Sequence, residues 1–142
     1  MEIAIRYHSK TGNTRKLAKA MGEALGAAPL TTKNVPDGQV DLLILGASIY
    51  GGQPDGEVAR FIGVLDGQKI KRAAVFATSA TGNSPYEHIK GLLEQRGIEV
   101  VERHFICLGK FMFLMNIGRP NKQDIANCVD FACAVVKEVQ GE

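Results

Sequence analysis

Six consecutive residues near the start of the chain, Ser9-Lys10-Thr11-Gly12-Asn13-Thr14, place three hydroxyls, an amide and a glycine between an apolar stretch and a helix-forming one. Hydroxyls, main-chain N–H groups and the N-terminus of a helix starting near Thr14 all present donors, and the helix dipole favours negative charge there by roughly 0.3–1 kcal/mol. Capture of a phosphate is the chemistry that such a loop suits. Gly12 lets the backbone approach closely. The spacing is neither G-x-x-x-x-G-K-[ST] nor G-x-G-x-x-G, so a nucleoside triphosphate and a dinucleotide lose ground to a phosphate monoester. The plainer alternative is that Ser9 or Asn13 caps a helix.

The elements around this loop follow from periodicity. Glu2 to Tyr7 reads as a strand, and beyond the loop Leu17, Ala20, Met21, Ala24 and Leu25 fall on one helical face. Leu30 to Val35 is a short strand candidate ended by the turn Pro36-Asp37-Gly38. Leu42 to Ala47 and Ala73 to Ala77 are continuous apolar runs, as expected for strands covered on both faces. Between them, Ser48 to Gly56 is expected to be irregular, followed by a helix carrying Val58, Phe61, Ile62 and Leu65. A polar loop, Thr78 to Ser84, leads into a helix with Pro85 near its first turn and Gly97 at its close. Ile98 to Cys107 reads as one further strand, and a last helix opens at Asn121 with Ile125, Val129, Ala132, Val136 and Val139 as its stripe.

Strands alternating with helices imply an α/β fold with a parallel sheet covered on both sides, a three-layer doubly wound arrangement. In a five-stranded sheet of order 2-1-3-4-5, the loops after the first, third and fourth strands meet in one crevice at the carboxyl ends. Those loops are His8 to Asn13, Ser48 to Gly56 and Thr78 to Ser84.

Composition narrows the function further. With 142 residues, 45% of them hydrophobic, the chain has the size of one domain spanning 1–142. Seventeen Lys and Arg against 15 Asp and Glu leave a net charge of +2, which argues for neither nucleic acid nor membrane. Cys107, Cys128 and Cys133 form no C-x-x-C pair and read as buried, reduced thiols, which points to the cytoplasm. No apolar run reaches the roughly 18 residues of a membrane span, and His8, His88 and His104 lie apart without metal-like spacing.

Ser9-Lys10-Thr11-Gly12-Asn13-Thr14 resembles the [ST]-x-T-G-x-T phosphate loop of the flavodoxin family, and Gly46 to Gly52 resembles its isoalloxazine-contacting loop. Thr78-Ser79-Ala80-Thr81-Gly82-Asn83 stands where that family has a further flavin loop. The resemblance spans the whole chain in its short form, without a long insertion in the last strand. It implies a flavodoxin-like fold and FMN, the phosphate held by Ser9 to Thr14 and the ring by Ser48, Ile49, Tyr50, Gly51, Gly52 and the Thr78 to Asn83 loop. Tyr50 would lie along the ring, and Gly51 would be the hinge of a peptide flip that answers the proton on N5 of the semiquinone.

Two features depart from the family pattern. Thr81 stands where a second aromatic commonly covers the outer flavin face, leaving Tyr86, Phe111 or Phe113 as substitutes. His8, Lys10, Arg15, Lys110 and Arg119 make the rim basic where familiar members are acidic, which would suit an acidic redox partner. The segment from Phe111 to Met115 is a further candidate, as a docking patch, a roof over the flavin or a loop tucked over the core. The implied function is a one-electron carrier working through a stabilised semiquinone between protein partners, as a monomer or weak dimer. The alternative is an FMN-dependent quinone reductase or protoporphyrinogen-oxidase-like enzyme, for which 142 residues leave little room to build a substrate pocket.

Overall fold

The computed structural model describes residues 1–50, 53, 54, 56–110 and 116–141. Along the chain the elements are β1 (Ile3–Tyr7), α1 (Asn13–Leu25), β2 (Pro29–Thr31), β3 (Val40–Tyr50), β4 (Gln53–Pro54), α2 (Gly56–Gly63), β5 (Ile70–Ser79), α3 (Tyr86–Gln95), β6 (Glu99–Val100), β7 (Phe105–Leu108) and α4 (Lys122–Gln140). β3 lies at the centre, parallel to β1 on one side and β5 on the other, with β2 beyond β1. β6 and β7 both run parallel to β5 on its far side. Taken as two halves of one strand, they complete the expected five-position parallel sheet in the order 2-1-3-4-5.

The apolar runs are explained by what covers each face. Along β3, Leu43, Leu45 and Ala47 join a core with Val58, Phe61 and Ile62 of α2 and Ile89 and Leu93 of α3. The alternate residues Leu42 and Ile44 pack with Leu17, Ala18 and Met21 of α1 and Cys128, Phe131, Ala132 and Val135 of α4. A strand alternates its side chains between faces, so burial on both sides demands an unbroken apolar run. In the helices the stripes lie slightly rotated from the sequence expectation. Ala18 rather than Ala24 faces inward in α1, and Cys128, Phe131 and Val135 form the buried centre of the α4 stripe.

Two stretches differ from the expectation. Ser48 to Gly56 is not irregular throughout: β3 continues to Tyr50, and β4 pairs back on it antiparallel, Tyr50 opposite Gln53 and Ile49 opposite Pro54. Gly51 and Gly52, which join the two, lie outside the described residues; two glycines between pairing residues are a hairpin signal in the sequence. Ile98 to Cys107 is not one continuous strand. Val100 and Phe105 pair with Ala73 and Phe76, so five steps on one side face three on the other and two extra residues bulge out. Tyr86 and His104 close that bulge. The Tyr86 hydroxyl donates to the Val101 carbonyl at 2.9 Å, and the His104 ring stacks on the Tyr86 ring with centroids 3.9 Å apart.

At the sheet's centre, Gly46 has its reason in close packing. A Cβ there would come 2.3 Å from the ring of Phe76, its neighbour on β5. No described helix is long and apolar enough to cross a membrane.

Candidate functional site

The carboxyl ends of β1, β3 and β5 deliver the three polar loops to one edge of the sheet. In the first loop, Gly12 takes φ 88°, a left-handed value that glycine adopts without steric cost, and so turns the chain into α1. The Gly12 N–H donates to the Ser9 hydroxyl at 3.0 Å, which draws the loop tight. α1 itself begins with no side-chain cap and with no acid in its first turn. Its charged residues there are cations, Arg15 and Lys16. Cations at a helix N-terminus oppose the dipole, and uncapped N–H groups need a partner; an anion seated on the loop answers both.

Asn13 and Thr14 face inward. The Asn13 amide donates to the Lys110 carbonyl at 2.8 Å, a contact possible because Gly109 has no side chain: a Cβ there would lie 2.6 Å from Asn13 Nδ2. Thr14 is fully buried, and its Oγ1 lies 2.8 Å from Ser48 Oγ and 3.0 Å from Thr78 Oγ1. Ser48 Oγ and Thr78 Oγ1 are 3.3 Å apart, which closes a triangle of hydroxyls. The Thr14 hydroxyl also has the Ala47 carbonyl at 3.4 Å. This network satisfies itself and ties the first, second and third loops together from beneath.

Ser79 shapes the third loop in the same local way. Its buried hydroxyl accepts from the N–H groups of Thr81 and Gly82 at 3.2 and 3.1 Å, and Gly82 has φ 89°. Thr81, Gly82 and Asn83 are exposed. A small cleft between the loops is lined by Asn13, Ser48, Ile49, Thr78, Ala80 and Lys110, among others. Lys10 and Thr11 are exposed on the first loop, while Ile49 is half-buried. Gly51 and Gly52 lie outside the described residues, as does the side chain of Tyr50.

The loop after β7 brings in Gly109 and Asn116, which the sequence reading did not single out, together with Lys110, expected there as a rim cation, whose carbonyl accepts from Asn13. Asn116, at φ 54°, donates its amide to the carbonyls of Ala80 at 2.8 Å and Gly109 at 3.2 Å, so it staples the third loop to the fourth. The available signal was a glycine directly after a strand and an asparagine, the residue type that tolerates positive φ. Tyr86, a candidate cover for the ring, is instead buried against His104 and the Val101 carbonyl. Phe111, Phe113 and Met115 lie outside the described residues.

The electrostatics of the rim divide its cations. Arg119 is engaged by Asp124, its Nη2 donating to Oδ1 at 2.8 Å, and that hydrogen bond holds the Asp124 carboxyl below the usual carboxylate range. Partial burial pushes the nearby Cys107 thiol up to about 12, so it stays protonated at neutral pH; of the three cysteines expected to be buried, Cys128 is, whereas Cys107 is half-buried and Cys133 is exposed, on the outer side of α4. Among the described residues no group of acids, histidines and cysteines could hold a metal ion.

A flavodoxin domain model matches residues 4–118 of the chain. The chain belongs to the flavodoxin domain family. Among solved structures, this flavodoxin domain is similar to a flavodoxin from the domain Archaea, at 18% identity over 99% of each chain with a TM-score of 0.78. It is similar as well to oxidised flavodoxin 2 from Bacillus cereus, at 21% identity over 97% of this chain and 99% of that one, TM-score 0.72. The rubredoxin:oxygen oxidoreductase of Desulfovibrio gigas contains the same fold as a part: 99% of this chain matches 36% of that one at 16% identity and a TM-score of 0.72. No curated protein matches the chain in sequence. FMN is the cofactor of this family, and the uncapped start of α1 with its tight, glycine-hinged loop fits the phosphate of that group.

Proposed function

We propose that the chain holds FMN non-covalently across its three carboxyl-end loops and carries electrons one at a time between protein partners. The observation that carries this reading is the start of α1, where uncapped N–H groups, the Gly12 turn and two first-turn cations together want an anion at the head of the sheet crevice. FMN, when bound, supplies the ring that takes up and releases electrons.

The chain's own residues do the rest. Main-chain N–H groups of the first loop, with the exposed Thr11 hydroxyl, hold the phosphate. Ser9 adds its own hydroxyl proton, since that oxygen is an acceptor towards Gly12. Thr14, Ser48 and Thr78 spend their hydroxyls on one another, so their part is to fix the spacing of the loops rather than to touch the ligand. Ile49, Tyr50 and the main chain of Ala80 to Asn83 would flank the ring, and the peptide at Gly51 would be the group that answers the proton on N5. Lys10 and Lys110, both exposed on loops of the rim, suit an acidic partner protein, docked with the carrier as a monomer or weak dimer.

Anaerobic stepwise reduction of the FMN-loaded protein, followed by its visible spectrum with free FMN as reference, tests the reading. Accumulation of half-reduced flavin midway is expected. Direct passage to the two-electron-reduced form would favour a quinone-reductase-like enzyme instead, and a protein that retains no flavin would overturn both.

A further inference from the structure

A second polar recess opens on the other side of β1, away from the crevice between the loops. Tyr7, His8, Ser9, Arg15, Thr31, Thr32 and Lys33 line a groove of about 530 Å³ at the carboxyl ends of β1 and β2, inside the roughly 300–1,000 Å³ range of small-molecule sites. Its side chains carry one sign of charge: Arg15 and Lys33 are exposed cations, with His8 half-buried beside them. Among the described residues, Glu57 is a carboxylate in electrostatic reach of both His8 and Lys33. That group is taken by Arg60, whose Nε and Nη2 donate to it at 2.9 and 2.6 Å.

Thr32 adds the observation that points to a ligand. It is 1% exposed, and its hydroxyl has no hydrogen-bond partner. Its main chain is committed, the N–H donating to the Tyr7 carbonyl at 3.0 Å and the carbonyl accepting from Arg60 at 3.4 Å. A buried hydroxyl without a partner is costly, and such groups in native proteins are few. Thr32 itself lines the groove ringed by cations, and an anionic oxygen seated there is the partner its hydroxyl lacks.

We infer that this groove is a second anion site, built to take a phosphate group through Lys33, Arg15, His8 and the Thr32 hydroxyl, beside the seat on the first loop and sharing Arg15 with it. The phosphate is either free inorganic phosphate or the phosphate of a larger ester. Ser9 borders both sites, so occupancy of the groove sets a second negative charge close to the first and weakens FMN by the same factor as FMN weakens it.

The test is calorimetry with the FMN-loaded protein, titrated at constant ionic strength with inorganic phosphate, AMP and adenosine as separate probes. Saturable binding of phosphate and AMP, in competition with each other and without binding of adenosine, is expected. AMP tighter than phosphate identifies an ester as the source; equal affinities identify free phosphate. Lys33→Gln should weaken both by about tenfold, the scale of one charge-assisted hydrogen bond, with the visible spectrum of the bound flavin unchanged. Thr32→Val should weaken both severalfold while the protein stays folded. No saturable binding, adenosine binding as well as AMP, or indifference to Lys33→Gln would overturn the inference. If the protein takes up no flavin, the same titration on wild type and Lys33→Gln still decides the groove, because Lys33 lies outside the first-loop seat.

Discussion

Thr14 closes a phosphate-type loop, in the first turn of α1, yet its hydroxyl is spent inside the protein on Ser48, Thr78 and the Ala47 carbonyl. Three hydroxyls in mutual reach can pass their protons around a ring, each donating once and accepting once, and so remain satisfied without water. Removing one member breaks the ring and leaves buried polar atoms short of a partner. Thr14→Val keeps the shape and removes only the hydroxyl, so urea unfolding of the flavin-free variant should show a loss of about 1–3 kcal/mol. A stability equal to that of the parent would mean that the triangle holds nothing together. The phosphate chemistry proposed for this loop was legible from the sequence. The division of labour within it was not, because which hydroxyl points outward depends on where Ser48 and Thr78 arrive.

The last helix was the most readable element. Asn121 was expected to open it, and its side chain accepts from the Asp124 N–H at 2.8 Å while the Asp124 carboxylate accepts from the Asn121 N–H at 2.8 Å, a reciprocal cap. Asp124 carries a second duty as the partner of Arg119, which links the helix start to the loop after β7. Arg119 first, and the Asn121 cap after it, hold the Asp124 carboxyl below its ordinary value of 3.8. Its contribution is therefore fully present above that value and is lost as the pH falls through the lower folded one. Asp124→Asn should be less stable than the parent at pH 7, with the gap narrowing below about pH 4; thermal melts across pH 2–7 read it, and a constant gap would contradict the assignment. The fifth strand was harder to read. Its apolar residues promised a continuous strand, while the bulge at Val101 to His104 depends on Tyr86 and His104 meeting from different elements.

At the scale of the molecule, α1, β3, β5 and the loop after β7 are joined at one end by side-chain and main-chain hydrogen bonds, with the proposed phosphate seat on top of them. A ligand that binds there and not to the unfolded chain stabilises the whole fold by mass action, by about 2.7 kcal/mol at a free concentration of a hundred times its Kd. FMN should therefore raise the melting temperature. Riboflavin, which has the same ring and no phosphate, should raise it clearly less at equal concentration; equal shifts would place the binding energy in the ring contacts and not in the seat at α1. What the chain determined by itself was local: unbroken apolar runs in the central strands, period 3.6 in the helices, and turn-forming residues after the strands that matter, all written within a few neighbouring positions. Burial on both faces then made β3 and β5 central. What only the tertiary structure decided was which distant groups meet: Thr14 with Ser48 and Thr78, Asn13 with the Lys110 carbonyl, Tyr86 with His104, and the Thr32 hydroxyl with nothing. Those meetings follow from strand register and the placing of helices across the sheet, and residues separated by 18 to 97 positions carry no local pattern that announces them.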